Sequence, residues 1–278
     1  MKSHLLLLLG LSWGGAALAA APAQSSVAAT NHPGRRDIQF GRSSPLFTPV
    51  ELFQRFRINS SAPAYNVALE KFRLTVPPSY VSNGSWGLFV WVSPGDRPTV
   101  PEDWQQVLEQ HRLLFVGAYN SGNPRHLLDR FRLALDATFN VQQAMKIDRR
   151  RIYVSGFSGG GRVASMLGVA CPDIFAGAIP ICGVDFYMPV PAGPGQFFPA
   201  SYVPQPHQVH LAKTNSHFVL ITGETDGNRL NTDCVYREGF RKNGFAHVNY
   251  MEVPGMGHAI PAGTWLDKAL RSMEGGTD

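Results

Sequence analysis

Little in this 278-residue sequence points to a disulfide scaffold, a nucleic-acid binder or a membrane protein. It has only three cysteines, and a chain of this length buries a sufficient core without disulfide staples or a structural metal. Charged residues make up 16% and the formal net charge is +5. The one dense basic run, Arg149-Arg150-Arg151, directly precedes an apolar strand and reads as a solvated strand entry, so no nucleic-acid partner is expected. Past the N-terminus no apolar run approaches the ~20 residues of a membrane-spanning helix, so no span is expected in the mature chain. His207 and His210 are three residues apart, but no Cys, Asp or Glu stands beside them to complete a metal site. No metal and no organic cofactor is therefore expected. What remains is ordinary globular composition, 44% hydrophobic, which argues against disorder.

The first residues carry Lys2 and His4, then an apolar run Leu5 to Leu11 broken only by Gly10. Small residues follow, ending in Ala17-Leu18-Ala19 or Ala21-Pro22-Ala23, either of which suits a cleavage site. Residues 1–23 thus read as a signal peptide, which predicts a secreted or periplasmic mature chain. No cysteine follows the small residues, so nothing indicates a lipoprotein. Residues 24–62 are rich in Ser, Ala, Pro and Arg and read as a linker or surface strap. Residues 63–278 read as one domain.

Within that domain, apolar strands alternate with helical patterns. Strands are expected at residues 67–76, 87–92, 113–118, 151–155, 174–181, 218–222 and 248–253. Helices are expected at 104–111, 127–145, 160–169 and 264–272. Nearly continuous apolar runs such as Gly87-Leu88-Phe89-Val90-Trp91-Val92 suit strands buried on both faces. The pattern predicts an α/β fold, a mostly parallel sheet with a more antiparallel start and helices on both faces. The stretch 183–214, with six prolines and five aromatics, interrupts this rhythm and is expected to be a long loop near the substrate.

Gly156-Phe157-Ser158-Gly159-Gly160 matches the Gly-x-Ser-x-Gly nucleophile elbow, with Ile152-Tyr153-Val154 as the strand before it and Arg162 to Leu167 as the helix after it. A serine hydroxyl needs a base, and the base needs an orienting acid. His258 follows the last strand on a Gly- and Pro-rich turn, and Asp226 follows the preceding strand in Gly223-Glu224-Thr225-Asp226-Gly227. Asp226 is preferred as the acid over Glu224, because Asp before Gly suits a turn, and over Asp233, which lies deeper in the next segment. The expected triad is Ser158, Asp226 and His258, with the Gly159 N–H as one oxyanion donor.

From about Leu69 to its last helix the chain resembles secreted α/β-hydrolase esterases of the polyhydroxybutyrate-depolymerase and feruloyl-esterase kind, and prolyl-oligopeptidase catalytic domains are also similar. The resemblance rests on Phe72 to Tyr80, Gly156 to Gly161, Thr222 to Asp226 and Val253 to His258. It implies an α/β-hydrolase fold, Ser158 as nucleophile, Asp226 as acid and His258 as base, acting on a small-molecule or polymeric ester. The chain departs from the family at the turn after strand 87–92. There Ser93-Pro94-Gly95-Asp96 replaces the usual His-Gly, and Pro94 has no N–H. The second oxyanion donor is then Ser93, by backbone or hydroxyl, or Gly95. A peptidase and a catalytically silent binding protein stand as the alternatives to an esterase. Against the peptidase, only about 40 residues separate the signal from the first strand, too few for a propeller domain. Cys182 and Cys234 are expected at the same sheet edge, and Cys171 ~20 Å away at the other at ~3.3 Å per strand residue. A disulfide Cys182–Cys234 is therefore expected, with Cys171 a buried free thiol.

Overall fold

The computed structural model describes residues 32–45, 48–58 and 63–275; the expected signal peptide lies outside them. Eight strands form the central sheet: β1 (Gly34–Gln39), β2 (Lys71–Val76), β3 (Gly87–Val92), β4 (Leu113–Ala118), β5 (Ile152–Phe157), β6 (Gly177–Ile181), β9 (His217–Gly223) and β10 (His247–Val253). Their spatial order is β1-β2-β4-β3-β5-β6-β9-β10. β1 pairs antiparallel with β2, and β2 antiparallel with β4, while the pairs from β4 through β10 are parallel. The expected parallel sheet with an antiparallel start is what the chain forms.

β3 and β4 are buried along their whole length. In β3 the side chains Leu88, Val90 and Val92 meet the layer of α3 (Leu127–Ala144) and α4 (Gly159–Ala170). Phe89 and Trp91 point the other way, toward α2 (Asp103–Gln110) and α7 (Gly263–Met273). Trp104 of α2 meets Trp91 edge-on at 5.4 Å, and its indole N–H donates to the Pro261 carbonyl at 2.9 Å. The two-sided apolar run therefore holds two helical layers on one sheet.

The segment expected as a strap does more than lie on the surface. Within its described part, β1 extends the sheet as an edge strand, and α1 (Pro49–Phe56) packs into the core. Thr48 Oγ1 caps α1, Leu52 and Phe56 are buried, and Phe56 stacks on Phe131 at 4.1 Å. Arg55 forks onto Asp173 at 2.7 and 2.9 Å. β1 reads Gly-Arg-Arg-Asp-Ile-Gln, which has no apolar alternation, because an edge strand with one polar face is specified by the backbone of β2. The stretch 183–214 is likewise more ordered than a loop. It holds a hairpin of β7 (Val190–Gly193) and β8 (Gln196–Phe198), then α5 (Pro206–Asn215). Pro206 opens α5 in the first turn, where a missing N–H has no intrahelical acceptor to lose. α6 (Arg229–Cys234) runs on into a π-helical turn, Val235–Arg241.

The expected Cys182–Cys234 disulfide does not form: all three cysteines are free and buried. Both residues are near the same sheet edge, but they lie on opposite faces. Cys182 belongs to the core beneath α2 and α7, and Cys234 to the core beneath α3 and α4, so the sheet separates them. Burial pushes Cys171 and Cys182 each up to about 12, and raises Cys234 as well. Titration with a chromogenic disulfide reagent should find no fast thiol in the native protein and three, without reductant, in denaturant. A denatured count of one would contradict this arrangement.

His111 caps α2 and locks it to the far end of the chain. Its Nε2 meets Asp267 at 2.8 Å and its Nδ1 meets Glu274 at 2.9 Å, with the side chain only 8% exposed. Burial disfavours the charged ring, but the two carboxylates outweigh it and raise the His111 pKa above its ordinary 6.5. A raised folded-state pKa stabilises fully below the unfolded value, and the gain is lost as pH climbs through the folded value. His111→Gln should therefore lose about 1.5–3 kcal/mol more stability at pH 5.5 than at pH 9, the scale of hydrogen bonds to a charged group. Urea denaturation at the two pH values checks this, and equal losses would refute it.

Candidate active site

Ser158 sits between β5 and α4 with φ 55° and ψ −120°, a backbone conformation that L residues rarely adopt. Two glycines make the turn possible. A Cβ at Gly156 would strike the Gly160 backbone, and one at Gly160 would strike the Val92 carbonyl. The Ser158 N–H donates to Ile181 O at 2.8 Å, which ties the elbow to β6. Its hydroxyl is thereby lifted above the C-terminal edge of the sheet, at the N-terminus of α4.

The loops after β9 and β10 meet this point. A Cβ at Gly223 would collide with the Met256 and Gly257 carbonyls, so the two loops touch backbone to backbone. Thr225 donates to Met256 O through both its N–H (3.0 Å) and its hydroxyl (3.1 Å). Glu224, the carboxylate passed over as the acid, accepts from Gly255 N at 2.7 Å and so holds the turn ahead of His258. Asp233 pairs with Arg237 instead. The structure brings Asp226 Oδ1 to 2.7 Å from His258 Nδ1, and His258 Nε2 to 2.9 Å from Ser158 Oγ. The Phe157 ring packs against the imidazole at 4.8 Å.

Asp226 has a side-chain exposure of 0%, against 42% for His258. Burial alone would push the carboxyl up. The N–H of Asn228, His258, the Cys182 thiol and the Thr222 hydroxyl outweigh burial and hold Asp226 below its ordinary 3.8. It is an anion at neutral pH, fixed by Asn228 N at 3.0 Å on Oδ1 and Thr222 Oγ1 at 2.9 Å on Oδ2. Cys182 lies under this pair. Its sulfur is within 4.8 Å of the carboxylate and of a His258 nitrogen, and its S–H also faces Ala259 O at 3.5 Å. Cys182, Asp226 and His258 are the one three-donor group of metal-ligand type found among the described residues. The thiol stays protonated at neutral pH and His258 Nδ1 is shared with Asp226, so the cluster is arranged as hydrogen-bond partners.

The turn after β3 is closed on itself. Ser93 is buried, its hydroxyl donates to Arg97 O at 2.8 Å, and it accepts from Gly95 N at 3.1 Å. The Ser93 carbonyl accepts from Arg130 at 3.1 Å. Arg130 is buried with no carboxylate in ion-pair range among the described residues, and burial draws it down to about 10. The Ser93 hydroxyl and the Gly95 N–H are therefore spent inside the turn. Gly159 stands at the first position of α4, whose first N–H groups have no intrahelical acceptor.

Several residues at the site carried no readable signal. Cys182 carries no pattern that sets it beside the acid, and Thr222 and Asn228, four residues before Asp226 and two after it, are not marked as its donors by spacing or composition. Asn123, in the loop after β4, is packed against Gly159. The stretch 183–214 contributes less than its aromatics suggested. Phe186 and Tyr202 are in the core, against Phe240 and Phe56 respectively, while Val184, Phe186, Val190 and Phe198 wall a cavity of about 120 Å³ one helical turn past Ser158, beside Arg162.

No sequence-family profile matches the chain, and no curated protein is similar in sequence. Solved structures are similar in fold. One is a fluorophosphonate-binding serine hydrolase from Staphylococcus aureus, at TM-score 0.59 and 13% identity over 87% of this chain and 99% of that one. Another is a poly(3-hydroxybutyrate) depolymerase from Bordetella parapertussis, at TM-score 0.54 and 16% identity over 91% and 94%. A Bacteroides ovatus protein named as a candidate dipeptidyl aminopeptidase IV matches at TM-score 0.53 and 15% identity over 81% of this chain, which spans 36% of that one. The chain has the α/β-hydrolase fold. No described helix is long and apolar enough to cross a membrane.

Proposed function

We propose that this protein is a serine hydrolase that cleaves carboxylic esters through an acyl-enzyme, with Ser158 as nucleophile, His258 as general base and Asp226 as the orienting acid. The observation that carries the reading is the continuous hydrogen-bond chain from Ser158 Oγ through His258 to Asp226, at 2.9 and 2.7 Å, ending on a buried carboxylate. In this reaction His258 Nε2 takes the Ser158 proton as the oxygen attacks the carbonyl carbon. Asp226, already ionised, keeps the Nδ1 proton in place and stabilises the imidazolium. The imidazolium then gives its proton to the leaving alkoxide, and water repeats the sequence to free the acid. The serine-to-base distance is within hydrogen-bond reach, which supports an active enzyme over a silent relative of the fold.

Esters of short-to-medium acyl chains or aromatic acids, free or in a polymer, are the substrates proposed, because the cavity beside Arg162 is small, about 120 Å³, and sets an apolar wall of Val184, Phe186, Val190 and Phe198 beside the Arg162–Asp185 pair. The N-terminal residues 1–23 support export as the setting. The poly(3-hydroxybutyrate) depolymerase is matched over 94% of its length, whereas the peptidase-named protein is matched over 36% of its own, which favours ester over peptide.

Purified protein should be labelled at Ser158 by a fluorophosphonate probe and should hydrolyse p-nitrophenyl esters. Ser158→Ala should lower kcat by roughly 10³-fold or more while the protein stays folded, His258→Ala similarly, and Asp226→Asn somewhat less. Near-full activity in folded Ser158→Ala would reject the assignment. On matched ester and anilide substrates the ester should have the higher kcat/KM. Faster anilide cleavage would favour the peptidase.

A further inference from the structure

An oxyanion that forms beside the N-terminus of α4 needs more than the Gly159 N–H, and apart from the Ser93 N–H the β3 turn has little to offer. Pro94 has no N–H, the Gly95 N–H donates to Ser93 Oγ, and the Ser93 hydroxyl donates to Arg97 O. Another segment reaches the same place. The loop after β4 folds over the β3 turn: Asn120 N donates to Asp96 O at 2.8 Å, and Asn123 N donates to Pro94 O at 2.9 Å. Gly122 packs so tightly there that a Cβ would lie 3.1 Å from Gly95 C and 3.2 Å from Pro94 O. The Asn123 backbone is thus tied to the turn that would ordinarily carry the second donor.

Its side chain extends from this anchor across the face of Gly159. A Cβ at Gly159 would overlap Asn123 Oδ1 and stand 2.7 Å from Cγ and 3.0 Å from Nδ2. Asn123 is exposed, and its amide makes no hydrogen bond to any other described residue. Its NH2 group therefore keeps two unspent donors beside Gly159. Half a turn of this unrestrained amide exchanges its two ends and presents either to the space beside Gly159. The fit also gives Gly159 a reason to be glycine, since any side chain there would expel the amide.

We propose that Asn123 is a catalytic residue, whose side-chain N–H joins the Gly159 N–H in binding the oxyanion. The proposal rests on the serine-hydrolase reading of the same site. When Ser158 Oγ bonds to the carbonyl carbon, its proton passes to His258 Nε2 and the C=O π pair moves onto oxygen. Asn123 and Gly159 donate to that oxygen. As the pair returns to re-form C=O, the bond to the alkoxide breaks and His258 protonates the leaving oxygen. An amide that donates to the developing charge acts in the transition state rather than on the bound ester.

The test is Asn123→Ala and the near-isosteric Asn123→Asp, compared with wild type on p-nitrophenyl acetate and in binding to an aryl trifluoromethyl ketone, which adds to the serine and mimics the oxyanion. Asn123→Ala should lower kcat by roughly 10²–10³-fold, the scale of one oxyanion donor, with KM within about threefold. Ketone affinity should fall in parallel with kcat, and Asn123→Asp, which sets a carboxylate against the oxyanion, should be slower still. Far-ultraviolet circular dichroism establishes that each variant is folded. A kcat within threefold of wild type in either folded variant, or a loss confined to KM, would overturn the proposal while fluorophosphonate labelling of Ser158 in the wild type upheld the serine-hydrolase reading. Failure of wild-type Ser158 to label at all would overturn both.

Discussion

The close approach of β5 and α4 to the end of β3 is the constraint on which the rest of the site depends. The chain reverses between Gly156 and Gly160 with no room for a Cβ at either, because Val92 O and the Gly160 backbone fill that space. Ser158 is left with a positive φ, of the kind that costs on the order of 1–3 kcal/mol and persists only when the surroundings over-determine it. Here they do, through Ser158 N to Ile181 O, the fully buried strands β3 and β6, and β5, buried up to Phe157. One tight contact thus sets the height of the serine, the direction of α4 and the place where charge would develop.

Around that point the molecule divides its charge. Asp226 is buried and held anionic by four donors, while the His258 ring is substantially open to solvent. The Cys182 thiol beneath them has its pKa raised rather than lowered, so it serves as a donor and a filler, not as a thiolate. On the other flank Arg130 keeps a buried cation behind the Ser93 carbonyl, without a carboxylate in ion-pair range among the described residues. Burying an unpaired charge is unfavourable. The large apolar investment in β3, β4 and their two helical layers is what carries such a cluster of polar groups at one sheet edge.

The loop after β4 joins these two flanks. It holds the β3 turn closed through Asn120, Gly122 and Asn123, and it reaches the first residue of α4. A turn that has lost its own donor to Pro94 is thereby covered by a neighbour with a side-chain amide. The same loop leads into α3, whose Arg130 touches the turn from behind. The β3 turn is therefore fixed from the front and from the back by a single continuous segment.

The sequence by itself determined the parts that rest on local pattern. The two-sided apolar runs of β3 and β4, the amphipathic α3 and the Gly-x-Ser-x-Gly turn state their structures within a dozen residues, since period and glycine placement are local properties. The order of Ser158, Asp226 and His258 on the turns after β5, β9 and β10 was legible for the same reason. Tertiary structure decided whatever needed a partner distant in the chain. β1 has no alternation of its own and becomes a strand because β2 offers it an edge. Cys182 and Cys234 reach the same sheet edge but opposite faces, and which face a residue takes past a strand's end depends on packing rather than on strand count. Asn123 acquires its place at the site only when the loop after β4 folds across the β3 turn onto the first residue of α4, because contacts between such loops leave no trace in spacing or composition.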